Sequence, residues 1–239
     1  MKRSLLFFIK LSSYWLLFFT LYRLVFILVY PSKIPDGKYS EAMKTFLYGL
    51  RLDASAIAYL ISIPLILWGI QQFMKNNFLN KINHAYNLLL IALITLLCIS
   101  NIAMYGEWNA LINFNSLYYL IAPAKMFPYL TTLELVAVII GVVVVMALFV
   151  LLFRILILMV LPYSTAKLSH KIIIISVAAP IVFLIMRGGT QSTPINETFA
   201  CQSDIKFVNH VNVNPIWHLG RTAFLGVEEI QKMEAEKQN

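Results

Sequence analysis

At 239 residues, with 60% of them hydrophobic and 13% charged, the chain lies outside the composition of soluble domains, whose charged fraction is about twice as large. A soluble globular protein is thereby excluded, and a polytopic membrane protein is the class that remains. The formal net charge of +8 would suggest nucleic acid in a soluble protein, but here the bases stand at the ends of apolar runs and in short loops. There they read as headgroup contacts and topology signals, and no nucleic-acid partner is expected.

A helix needs roughly 20 apolar residues to cross a ~30 Å hydrocarbon core, because each residue advances it by about 1.5 Å. Five segments approach that length. The first runs from Leu11 to Tyr30, with Arg23 its only charge. Before it, Met1-Lys2-Arg3 resembles the start of a signal peptide, but the apolar run is long, contains Arg23 and lacks a small-x-small cleavage pattern. An uncleaved first span is expected. In the loop that follows, Met43, Phe46, Leu47 and Leu50 recur at helical spacing, an apolar stripe suited to lying on the membrane surface.

The second span runs from Ala54 to Ile70 and the third from Ala85 to Met104, both without charge. Arg51 and Asp53 stand at the entrance of the second. Arg51 offers a planar fork for a lipid phosphate or simply snorkels, and Asp53 is a plausible N-cap for a helix beginning at Ala54. From Tyr105 to Leu130, apolar and aromatic residues recur every three or four positions until Pro123 and Pro128. This predicts a surface-lying or re-entrant helix, with a loop packed on the bundle as the alternative.

The fourth span covers Leu135 to Phe153 and continues past Arg154 to Leu161, and the fifth is a short run from Ile172 to Met186, flanked by Lys171 and Arg187. All five runs are continuously apolar, without the alternation of a barrel strand, so the expected fold is all-α. An odd number of spans puts the termini on opposite sides. Counting bases in the loops gives seven against five for a cytoplasmic N-terminus, a small excess.

After Arg187 the composition changes. Residues 188–239 are rich in Asn, Ser, Thr, Gly and Pro and read as loops and turns, closing with a polar, helix-favouring stretch from Val227 to Lys237. The expected organisation is a five-helix membrane domain over 1–187 and a polar linker over 188–239, which the family resemblance described below makes extracytoplasmic.

Charges inside or beside the spans are costly and need partners. Arg23 should face the bundle, with Glu134 as a candidate partner, while Arg154 stands at the far end of the same span as Glu134. His210, His218, Cys201 and Asp204 share the tail, but their spacing matches no recognised ligand pattern, so no metal site is expected. Two cysteines, one inside the third span, are too few for a disulfide framework. No catalytic constellation is visible.

Several pieces together resemble the membrane portion of lipoteichoic acid synthase-like proteins, phosphoglycerol transferases of the sulfatase and alkaline phosphatase superfamily. They are Gly49-Leu50-Arg51-Leu52-Asp53-Ala54-Ser55-Ala56, Asn101-Ile102-Ala103-Met104-Tyr105-Gly106-Glu107-Trp108 and Tyr119-Leu120-Ile121-Ala122-Pro123. Arg187-Gly188-Gly189, Pro194-Ile195-Asn196 and Val213-Asn214-Pro215-Ile216-Trp217 follow in the tail. The resemblance implies five membrane helices in a bacterial plasma membrane, N-terminus cytoplasmic and tail outside, followed by a catalytic domain with a Ser or Thr nucleophile and a divalent metal. Asn239 precedes the place where that domain would begin, so no catalytic, cofactor or metal residue is carried over. A truncated product, a fragment and a split protein all remain open. Within the chain, the resemblance makes Arg51, Asp53, Glu107 and Arg187 candidates for headgroup contact or for docking the catalytic domain or subunit, with membrane lipids as the other partner. A small transporter or lipid-binding scaffold is the alternative, and it would line a polar cavity with Arg23, Glu134 and Arg154.

Overall fold

The structure, a computed structural model, describes residues 2–117, 131–157 and 160–238, the last stretch by its backbone alone from 227. The described residues form helices and connecting turns, without a strand. In chain order the α-helices are α1 (Lys2–Val29), α2 (Tyr39–Tyr48), α3 (Leu50–Phe73), α4 (Asn77–Trp108), α5 (Thr132–Leu156), α6 (Leu168–Arg187), α7 (Lys206–Asn212) and α8 (Pro215–Gln238). Five helical segments, α1, α2 with α3, α4, α5 and α6, are long and apolar enough to cross a membrane.

Local chemistry sets the boundaries. Asn76 caps α4 by accepting from the amide of Phe78 at 2.8 Å, and α4 ends on Asn109 in the left-handed region at φ 47°. A capping box starts α5: the Thr131 hydroxyl accepts from the Glu134 amide, and the Glu134 carboxylate accepts from the Thr131 amide. Gly188, at φ +83°, ends α6, its amide bonding Ile185 O at 3.0 Å while the Gly189 amide bonds Leu184 O at 2.9 Å. That pair of bonds is the Schellman arrangement, which needs a residue without a Cβ penalty at the turn. Pro64 lies inside α3 and cannot bond the carbonyl of Leu60, which instead accepts from the hydroxyl of Tyr86 on α4 at 3.0 Å.

Helix ends shift from the sequence-based expectation because polar residues continue the backbone ladder beyond the apolar core. The first span begins at Lys2, the third at Asn77, and the fifth at Leu168. The fourth stops at Leu156, before Leu161. Leu161 instead donates its amide to Asn80 Oδ1 at 2.9 Å. Asp53 is not the cap of a helix starting at Ala54, since α3 begins at Leu50 and Asp53 lies in its first turn.

The core follows α1, whose Leu11, Tyr14, Trp15, Phe18, Phe19 and Phe26 are all buried. Aromatic rings meet edge-on along this line, as Tyr14 does with Phe153 of α5 at 5.5 Å, and Tyr14 also donates to Phe149 O at 2.9 Å. Helix α6 lies along α3 and α5 along α4. Both are peripheral: α6 has no buried residue, and α5 buries only Phe149 and Phe153 among its own. Their outward Val, Ile and Leu side chains suit a lipid environment.

On the face reached by the end of α1, helix α2 turns Ala42 and Thr45 inward and leaves Met43 and Leu47 exposed. Of the expected Tyr105–Leu130 helix, α4 absorbs the start as far as Trp108, and a 3-10 turn follows at Phe114–Leu117. Residues 118–130 lie outside the described ones. Segment 188–226 packs against the bundle: Ile195, Ala200, Phe207, Val208, Val211 and Val213 are buried in the same core as the spans. Its Asn, Ser and Pro residues make the turns of a folded cap, with Phe207 edge-on to Phe26 at 5.4 Å.

Candidate functional site

The cap is held to the bundle by a buried polar cluster at the end of α1 and the start of α3. Arg23 Nη1 donates to Asp53 Oδ2 at 3.0 Å and Nη2 to Asp53 Oδ1 at 3.2 Å, a bidentate pair with side chains 3% and 0% exposed. Arg23 Nε donates to Val211 O at 3.1 Å, so the same guanidinium also grips the last turn of α7. Asp53 Oδ1 further accepts from Asn214 Nδ2 at 2.9 Å. The other end of that amide caps α8, Asn214 Oδ1 accepting from the amides of Ile216 at 3.0 Å and Trp217 at 3.3 Å. Asn212 Nδ2 donates to Ala200 O at 2.8 Å, closing the cap on itself. Two spans and the tail therefore share one charge pair.

The partner of Arg23 is Asp53, not Glu134. A charge inside a span costs on the order of 3 kcal/mol on insertion scales, which forces a paired arrangement. Depth could have indicated the choice, since Arg23 lies in the last third of α1 and Asp53 in the first turn of α3, both toward one face. What no sequence pattern gave is Asn214, whose side chain joins the pair to the tail.

Around this cluster the other candidate residues fall into separate places. Arg51 faces the tail, donating to Gly188 O at 2.9 Å through Nη2 and to Gln191 Oε1 at 2.8 Å, with its guanidinium 4.3 Å from the Phe199 ring centroid. Arg187 donates to Gln191 O at 2.5 Å and Ser192 O at 2.8 Å. Both guanidiniums thus fix the turn after α6 through carbonyl oxygens. The Ser203 hydroxyl donates to Glu41 Oε2, tying α2 to the cap. Glu107 is exposed in the last turn of α4. Glu134 belongs to the capping box of α5, and Arg154 is exposed in the last turn of the same helix, about 30 Å away along its axis at ~1.5 Å per residue. The structure does not bring Arg23, Glu134 and Arg154 to a common cavity.

In the cap, His210 Nδ1 is 2.8 Å from the Tyr105 hydroxyl, and His218 Nδ1 is 2.5 Å from Glu197 Oε1. Burial, reinforced by the charges of Lys206 and His218, pushes His210 down to about 4. Its imidazole is neutral at physiological pH. Among the described residues no three His, Cys, Asp or Glu side chains converge as a metal site would require. Cys98 is buried and Cys201 exposed, both as free thiols. Beside the cluster, an apolar groove of about 420 Å³ runs between α3 and α8, bounded by Tyr59, Ile195, Trp217, Arg221 and Phe224.

Neither the protein-family models, nor the curated proteins, nor the solved structures contain a match to this chain. The architecture itself defines the class: among the described residues it is an all-helical arrangement with five segments long and apolar enough to cross a membrane.

Proposed function

We propose that the chain is the membrane-anchoring module of a lipoteichoic acid synthase-like phosphoglycerol transferase, seated in a bacterial plasma membrane with its N-terminus cytoplasmic. On this reading it holds an extracytoplasmic catalytic domain at the lipid surface, and the catalytic groups and divalent metal belong to that domain. The observation that carries the reading is the Arg23–Asp53–Asn214 cluster, which anchors the start of α8 to two spans. A tail docked in this way gives whatever it carries a set height and direction, whereas a flexible tether would let it wander. The particular chemistry rests on the family resemblance of the segments around Asp53, Asn101 and Asn214.

Charge supports the orientation. The N-terminal face carries Lys2, Arg3, Lys10, Lys75, Lys81, Arg154, Lys167 and Lys171, and residues 1–10, 73–84 and 154–171 contain no Asp or Glu. Such a face belongs on the cytoplasmic side. The test is a chimera in which this chain replaces the membrane portion of an active lipoteichoic acid synthase-like enzyme. Phosphoglycerol polymer is the expected product. A chimera that reaches the membrane in the stated orientation with a folded catalytic domain, yet makes no polymer, would overturn the proposal.

A further inference from the structure

A second groove opens on the opposite face, far from the cap. It has a volume of about 380 Å³ and lies between the start of α1, the end of α3 and the start of α6. Its wall is apolar, formed by Leu5, Phe8, Leu65 and Trp68 among others, while Lys2 and Lys171 stand in its lining. The ammonium of Lys171 donates to Gln72 O at 2.7 Å and sits 4.6 Å from the centroid of the Tyr163 ring, which together hold its charge at the groove. Neither lysine has a carboxylate within ion-pair distance among the described residues. Trp68 lines the groove and is 5% exposed, so its ring reports on what occupies the groove.

We infer that this groove is a binding site for an anionic phospholipid of the leaflet on the N-terminal face. The apolar wall takes an acyl chain and the two lysines take the phosphate. Charge complementarity selects this occupant. The face around the groove is basic and free of acids, so an anionic headgroup is drawn in where a zwitterionic one gains little. A neutral hydrocarbon would satisfy the wall but bring no counter-charge to the lysines. The inference is independent of the anchoring function, since no residue of the groove belongs to the cap.

The test uses the full chain in phosphatidylcholine bilayers containing a minor share of phosphatidylserine with brominated acyl chains, with Trp68→Phe subtracting the other tryptophans. Brominated phosphatidylserine is expected to quench the Trp68 emission more than brominated phosphatidylcholine at the same mole fraction. Each lysine is expected to contribute about fivefold to the preference. Lys2→Gln, which leaves the Lys171 bond to Gln72 intact, should remove one such factor, and Lys2→Gln with Lys171→Gln should abolish the preference. In the unsubstituted protein, raising the salt concentration should reduce it. Equal quenching by the two lipids would overturn the inference, as would a preference that survives the double substitution or high salt. Loss of the preference on adding inorganic phosphate at constant ionic strength would also overturn it, because the site would then take a free anion rather than a lipid.

Discussion

Gly49 leaves vacant the space that the guanidinium of Arg23 fills: a methyl group at its Cα would lie 2.2 Å from Arg23 Nη2 and 2.6 Å from Cζ. The backbone there has an ordinary helical φ of −70°, so steric room, not conformation, requires the glycine. Gly49→Ala is expected to destabilise the protein by about 1–3 kcal/mol, because the guanidinium is fixed by four acceptor contacts and cannot move aside. Gly69→Ala is the control, since its new methyl meets only a side-chain carbon at 3.9 Å. Thermal unfolding in detergent should separate the two, and equal melting points would refute the packing argument.

Asp53→Asn and Arg23→Gln each strand a charge or its acceptors inside the bundle. Each is expected to cost about 3–5 kcal/mol. Combining them, Arg23→Gln with Asp53→Asn, should cost less than the sum of the single changes, the sign of a coupled pair. Denaturant or thermal melts of the four proteins form the cycle, and additive losses would show that the two residues act separately.

Asn214→Ala removes both a donor to Asp53 and the cap of α8. The expected loss is about 1–2 kcal/mol. Hydrogen exchange should rise in 206–217 while the spans remain protected. Unchanged protection of the cap would argue against the cluster as its anchor.

Docking of the cap should weaken in acid. Free histidine titrates near 6.5, whereas His210 in the docked cap, facing Tyr105, Lys206, His218 and Glu197, titrates at about 4. Between those values the undocked state binds more protons, so docking is strongest above about pH 6.5 and weakens as pH falls toward 4. His210→Gln should remove this slope. A cap equally protected at pH 7 and pH 4.5, after correction for intrinsic exchange, would contradict the assignment.

Cys201 is exposed on the cap and Cys98 is buried, so one thiol reports topology. A membrane-impermeant maleimide should label Cys201 on intact cells or spheroplasts. Labelling only after lysis would place the cap inside and remove the basis of the anchoring proposal.

Much of the architecture was legible in the chain because the requirement to satisfy backbone polar groups in lipid leaves helices as the outcome of long apolar runs. Arg23 announced itself as a residue needing a partner. Helix ends were less legible, since Asn77 to His84 extend α4 through backbone geometry and a cap without adding apolar signal. The segment after Arg187 was harder still. Its turn-forming composition describes local conformation and carries no information about whether Phe207, Val208 and Val211 find a core to enter.

By itself, then, the sequence determined that this protein has helices long and apolar enough to cross a membrane and charge unequally shared between their two ends, because hydropathy and charge are properties of residues read one at a time. Only the tertiary structure decided that Arg23 pairs with Asp53, that Asn214 joins the pair, and that the tail is a docked cap. Those are choices among side chains from distant parts of the chain, and they are settled by depth and burial once the helices have packed.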